Sequence, residues 1–421
     1  MSAIMDKAYE VQEAAAAAAL VEIDGDGYID YVFDNPSYVH DWPADPYDSS
    51  TISGIPGAFA WIGYRDPGGL PDKRAAVERG QSVLEASQGE FFRLKNLLHD
   101  DEKFSGSTVN TFIDYLDVIA DAAEDQAGLA DELSLAVECV EGLVKAAEND
   151  VIDIADKTIA ALNAMAAEDD VPNSEMLLSV TAALIGVVGT VATGGTATAI
   201  TFALISGGLS VATTAGTDTQ GSTDFDNVYH LIEYSLYPAL DYRRGKLEEK
   251  EGEIVDGLNA DLRALDGQGG HDVRDSLDPR PGGLVNGRGN FRATGATAAD
   301  LKELYGLATG EVPALAGDFA TASGDFNAAN GTETAAMGDV SAPWERLLDL
   351  LQRMSAKASE ALYDGGTVLA NAAQDFAKQD GVHAEWVNRS GEELFDRHEA
   401  VFPAPVPDPL SRRYPDIGPT F

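Results

Sequence analysis

Cysteine is almost absent from this sequence: Cys139 is the single thiol among 421 residues. One thiol closes no internal disulfide and builds no cysteine zinc cage. It falls in LAVECVEGL, on the expected apolar side of a helix, which predicts a buried structural thiol in place of a nucleophile. Positive charge is scarce too. Against 71 Asp and Glu stand 28 Lys and Arg, a net charge of −43. So acidic a chain repels phosphate backbones and anionic headgroups, which argues against a nucleic-acid partner. The charge serves solubility, and it would also suit a high-salt habitat.

The marks of catalysis are missing as well. The six histidines, His40, His99, His230, His271, His383 and His398, are scattered without metal-ligand spacing. There is no G-x-S-x-G, Walker loop or H-E-x-x-H, and His383-Ala-Glu385 is too short to be a signature. The glycine-rich GGLVNGRG follows no credible strand and opens no helix, so it is not read as a phosphate loop. The expectation is a non-enzyme. The N-terminal stretch carries Asp6, Glu10 and Glu13 and lacks a basic start, so it does not read as a classical signal peptide. Export, if it occurs, is expected to use another route.

What is present is alanine, 42 glycines and 44% hydrophobic residues, with only 8% aromatics. That balance favours helices packed closely through small side chains over a β-rich core. The fold class predicted is all-α: an elongated helical bundle with long helical hairpins and a smaller C-terminal helical hairpin. Residues 1–71 read as a short Ala-rich helix to about 20, then an irregular cap rich in Gly, Pro, Asp and aromatics, with room for a short hairpin. Residues 72–265 read as the main bundle. Helices are expected over 72–98, 107–169 and 223–265, the last kinked at Pro238, from apolar spacings of three and four. A linker follows at 266–295, a C-terminal helical hairpin at 296–380, and a tail at 381–421 that turns Pro-rich after Phe402.

Two motifs stand at helix ends. FSGSTVNTF, Phe104 to Phe112, joins the helices 72–98 and 107–169. An aromatic, one spacer and a glycine make a tight helix–turn–helix, in which Gly106 gives a permissive backbone and Phe104 plugs the corner. Phe112 lies a little over a turn into the second helix. A generic αα-hairpin with a glycine turn fits the same residues. In the C-terminal hairpin, Phe376-Ala-Lys-Gln-Asp380 ends the last helix, and one turn puts ring and carboxylate on one face. Trp344, at the start of that helix, reads as ordinary core packing or as an anchor for the loop.

The hairpin 72–169 resembles the Trp-x-Gly helical hairpin of type VII (ESX) secretion substrates, with Phe104 in place of the tryptophan. The module 296–380 is similar in length and layout to the ESX secretion-associated family. That family ends in a Tyr-x-x-x-Asp/Glu signal, whose place Phe376 and Asp380 occupy with Phe for Tyr. The resemblance implies a virulence-associated protein made in the cytoplasm and exported folded to the cell surface or medium. Its implied partners are the secretion machinery and, through apolar helix faces, a second copy or a helical partner protein. A cytoplasmic scaffold is the reading that does without export.

Residues 176–217 contain no charged residue, and Gly194-Gly195 divide them into two apolar arms of about 15 residues, short of the roughly 20 that span a bilayer. Leu184, Val188, Gly194, Gly195 and Phe202 mark this candidate membrane segment. A pair of helices buried in the bundle is one reading. A hairpin that inserts into a membrane, as in the helical pore-forming toxins it resembles in layout, is another. EIDGDGYID imitates the start of a calcium loop through Asp24, Asp26 and Asp30, with Gly27 at the turn. The closing bidentate Glu is missing, since Phe33 stands there. An exposed acidic turn is the plainer reading, with calcium as the cofactor the alternative would need.

Overall fold

The computed structural model describes residues 3–25, 54–99, 107–167, 228–265, 298–331 and 335–379. Every regular element among them is helical. The chain is all-α, as its composition predicts. The helices among the described residues are α1 (Ala3–Gly25), α2 (Ile55–Gly63), α3 (Leu70–Leu98), α4 (Ser107–Ala166), α5 (Val228–Leu231), α6 (Tyr237–Leu265), α7 (Ala298–Gly306), α8 (Val312–Asn330) and α9 (Ser341–Gln379).

Helix α4, 60 residues long, reaches about 90 Å at 1.5 Å per residue. It contains no proline, and its buried positions recur at steps of three and four or their sums: Phe112, Leu116, Ile119, Ala123, Leu129, Leu133, Val137, Val140, Val144 and Val151. Because Ala122, Ala123, Ala130, Ala136 and Ala155 are buried among them, neighbouring backbones can approach closely on several sides at once.

The segment expected to be irregular before residue 71 holds a helix instead. In α2, Ile55, Phe59 and Ile62 fall at steps of four and three, all fully buried, and Pro56 sits in its first turn where no amide donor is needed. A single 3-10 turn, Pro67–Gly69, follows, and the Asp66 carboxylate accepts the Gly68 N–H at 2.8 Å. That bond turns the chain into α3. At the other end of the cap, α1 runs to Gly25, beyond the expected limit of 20.

Pro238, where a kink is expected, stands just past a widened helical turn. A π turn, Ile232–Leu236, joins α5 to α6, and Tyr237 N–H closes it on the Ile232 carbonyl. A second π turn, Leu307–Glu311, joins α7 to α8 just before Pro313, with Val312 N–H on the Leu307 carbonyl. In both places a proline stands two residues past the turn, in the strings YPAL and VPAL. A proline offers no N–H and its ring crowds the preceding turn, so one widened turn relieves the clash without ending the helix.

The chain forms two compact units, each drawn from three stretches: Met1–Glu78, Gly128–Asp272 and Phe326–Leu350 in the first, Arg79–Ala127, Val273–Asp325 and Leu351–Phe421 in the second. Helices α3, α4, α8 and α9 thus contribute to both. In the first unit α1 lays Ile4, Ala8, Val11, Ala15 and Ala18 into the core and packs on α2. Trp344 of α9 is fully buried there and donates its indole N–H to the Leu133 carbonyl of α4 at 2.8 Å. In the second unit Phe91 of α3 meets Phe319 of α8 edge-on at 6.0 Å. Ser359 of α9 donates to the Ala316 carbonyl of α8 at 2.8 Å, and Ser355 donates to Gln126 of α4 at 2.8 Å.

Candidate functional site

Phe112 of the hairpin motif meets the body of α9 in the second unit, at Gly365. Phe112, 1% exposed, packs against Tyr115 with ring centroids 6.0 Å apart. Tyr115 donates its hydroxyl to the Ala361 carbonyl of α9. Burial, with Asp364 nearby, pushes that phenol well above its ordinary range. One turn further along α9, the glycines Gly365 and Gly366 let two neighbours in. A Cβ on Gly365 would stand 2.9 Å from the Tyr115 ring and 3.1 Å from the Phe112 ring. A Cβ on Gly366 would stand 2.9 Å from the Ala308 carbonyl oxygen in the second π turn. Phe112 therefore sits against the helix that carries Phe376, at a glycine three turns before it.

The remaining motif residues are placed as follows. Phe104 and Gly106 lie outside the described residues. Phe376 is on the last turns of α9, with helical backbone, and Asp380 lies just beyond the described residues. Asp24 belongs to the final turn of α1, and Asp26 and Asp30 fall outside the described residues. Among the described residues no cluster of His, Cys, Asp and Glu is placed to hold a metal ion. Leu184, Val188, Gly194, Gly195 and Phe202 also lie outside them, and no described helix is long and apolar enough to cross a membrane. Cys139 is buried, as its place in LAVECVEGL predicts, and burial pushes its thiol up to about 11. Trp344 takes the core-packing role.

An ionic seam on α6 in the first unit belongs to none of the sequence motifs. The buried edge of α6 runs Leu240, Arg243, Leu247, Glu251, Ile254, Leu258, Asp261 and Leu265, so three of its inward positions are charged. Arg243, 4% exposed, lies 3.2 Å from Asp150 of α4. Glu251, 3% exposed, takes both arms of the Arg65 guanidinium, which approaches from the loop after α2. The 3-10 segment Ala335–Val340 covers this pair. There Gly338 has φ +50°, and a Cβ on it would come within 3.2 Å of the guanidinium. Only a glycine gives both the left-handed backbone and the clearance. Burial raises the carboxyls of Glu251 and Asp150 above the usual range, although Arg65 and Arg243 pull them down. Asp339 and Glu248 add to the rise at Glu251. A charge at a seam position between leucines was the available signal, legible once the register of α6 is known.

A further buried cation, Lys73 of α3, donates to the Ala329 carbonyl of α8 at 3.1 Å and lies 4.2 Å from the centre of the Trp344 ring. Burial lowers its ammonium below the ordinary lysine range. These charges tie α6 to α4 and to the loop after α2, and α3 to α8 and α9.

Comparison with family models, with curated proteins and with solved structures gives no match to this chain. The class established is an all-α helical protein built on long hairpins.

Proposed function

We propose that this protein is a type VII (ESX) secretion substrate that acts by binding or assembly in the cell envelope or outside the cell. The observation that carries the reading is the packing of Phe112 against Tyr115 and Gly365. It ties the helix opened by the FSGSTVNTF turn to the helix that ends in Phe376-x-x-x-Asp380. On this reading the ring of Phe376 and the carboxylate of Asp380 are read together by the secretion machinery, one turn apart. The buried charges Glu251 and Arg243 are paired with half-buried Arg65 and Asp150, which gives them a structural part to play within the bundle. The test is secretion from a type VII-competent actinobacterial host, comparing wild type with Phe376→Ala and Asp380→Ala. Export of the wild type, blocked by either substitution, supports the reading. Retention of the wild type, or normal export of both variants, overturns it and favours a cytoplasmic scaffold.

A second reading has its own observation. Shortly after the uncharged run 176–217, Tyr229, His230 and Tyr234 form an aromatic cluster with ring centroids 5.4 to 6.3 Å apart, and Tyr234 is 53% exposed. Tyrosines beside an apolar segment suit a membrane interface. On this reading the protein inserts 176–217 into a bilayer as a helical pore-former. Dye release from liposomes, abolished by Val188→Asp, is the result it requires.

A further inference from the structure

The 3-10 segment Ala335–Val340 leads into α9 and packs on α6 in the first unit. Ala336, Met337 and Val340 are buried, whereas Gly338 and Asp339 between them are exposed. The segment is a strap, held toward both ends by apolar side chains. Its middle lies on a pair of charges. A Cβ on Gly338 would stand 3.2 Å from the Arg65 guanidinium and 3.3 Å from a Glu251 carboxylate oxygen. Gly338, at φ +50°, turns the strap over that pair without a side chain.

Charge beneath the strap is unevenly matched. Arg65, from the loop after α2, takes both oxygens of Glu251. Asp339 on the strap and Glu248 on the preceding turn of α6 act on the same carboxylate with like charge. Glu248 is answered by Arg244 at 2.8 Å, whereas Asp339 forms no ion pair among the described residues. On α4, Glu148 faces Asp66 and Lys145 instead. One guanidinium therefore holds a carboxylate that is 3% exposed, while the closed strap brings a second carboxylate towards it. Burying an ionised group is costly, and a like charge beside it adds to the cost. A protonated Glu251 carries neither penalty and still accepts a hydrogen bond from Arg65 through its carbonyl oxygen.

From this arrangement we infer that Ala335–Val340 is a pH-sensitive strap, closed by protonation of Glu251 and loosened by its charge. Lifting the strap gives Glu251 water and takes Asp339 away, so the lifted state favours the ionised form. The closed state then binds the proton more tightly than the lifted one. Its advantage is complete at low pH and is lost as pH rises through the value of the closed state. Burial, with Asp339 and Glu248, raises the Glu251 carboxyl above its ordinary range, and Arg65 offsets this only in part. Loosening at higher pH uncovers Met337 and Val340, which the closed strap lays in the core.

The test is hydrogen exchange of the full chain, followed by mass spectrometry at fixed ionic strength from about pH 7.5 to about pH 5. Rates are corrected for intrinsic exchange, and residues 8–18 of α1 report the stability of the same unit. Protection of the strap amides, relative to residues 8–18, is expected to rise by about threefold or more as pH falls. Glu251→Gln is expected to make that ratio independent of pH. Asp339→Asn alters an exposed side chain. It is expected to raise strap protection near neutrality and to shrink the gain in acid. A ratio that stays flat or falls when the wild type is acidified overturns the proposal. So does a wild-type gain in Glu251→Gln, or wild-type behaviour in Asp339→Asn, which decides the matter alone where Glu251→Gln does not fold.

Discussion

The indole of Trp344 and the backbone of Leu133 are joined by a 2.8 Å hydrogen bond inside a fully buried contact, with the Lys73 ammonium over the same ring. One side chain thereby links α3, α4 and α9 in the first unit. Replacing Trp344 with Ala is expected to cost about 3–5 kcal/mol, as for other large buried aromatics. Trp344→Phe keeps an aromatic face under Lys73 but gives up the N–H donor, and is expected to cost less, about 1–2 kcal/mol. Urea unfolding followed by far-ultraviolet circular dichroism gives both values. An unchanged midpoint in Trp344→Ala would show that the contact carries no stability.

Glycines in these helices divide by what surrounds them. Gly245, on the exposed side of α6, has open space where a Cβ would stand, whereas Gly366 faces the Ala308 carbonyl. Gly245→Ala is therefore expected to stabilise by about 0.5–1 kcal/mol through helix propensity. Gly366→Ala is expected to destabilise by about 1–3 kcal/mol, because a backbone carbonyl cannot swing aside as a side chain can. Opposite shifts in Tm are the expected result, and shifts of the same sign would contradict the close approach at the second π turn.

Acid should strengthen this fold before it weakens it. Glu251, Asp150, Glu148 and Asp318 all have carboxyls raised above their ordinary range, in each case mainly by burial. A raised carboxyl means that the folded state binds the proton more tightly than the unfolded chain does. Its contribution is complete below the unfolded value and is lost as pH rises through the folded one. Lowering pH from about 7.5 to about 5.5 also begins to relieve the self-repulsion of so acidic a chain. Scanning calorimetry at fixed ionic strength should show a higher Tm at the lower pH. A fall over that interval would mean that the ionised pairs, and not burial, dominate.

Cys139 should resist modification in the native protein. It is 2% exposed, and burial pushes its thiol up to about 11, so little thiolate forms near neutrality. A maleimide reagent is expected to label it only after unfolding in guanidinium. Rapid native labelling would place the thiol at an opening in α4 that its packing does not provide.

Much of the helical layout was legible in the order of residues. The spacing of Phe91, Leu94 and Leu98, or of Leu129, Leu133 and Val137, specifies helices whatever surrounds them, and α3, α4 and α9 begin and end within a few residues of the expected places. The cap before residue 71 was harder to read, because its Gly, Pro and aromatic content suggests turns. The helix α2 forms there because Ile55, Phe59 and Ile62 bury one face against α1, a tertiary gain that overrides local preference.

The candidate site divides in the same way. Phe112 is marked by its place after a glycine turn, but nothing local announces that it meets Gly365, some 250 residues later in the chain. The Arg65–Glu251 pair was invisible for a similar reason, since a charge in a helical string reads as a solvated face until its register is fixed.

The sequence by itself determined the all-helical class, the buried thiol and the acidity, because each follows from composition or from spacing within one helix. Only the tertiary structure decided which charges are buried, where two glycines admit a neighbouring helix, and that the compact units are drawn from three stretches each. Those features arise from contacts between residues distant in the chain, and no local pattern of side chains encodes them.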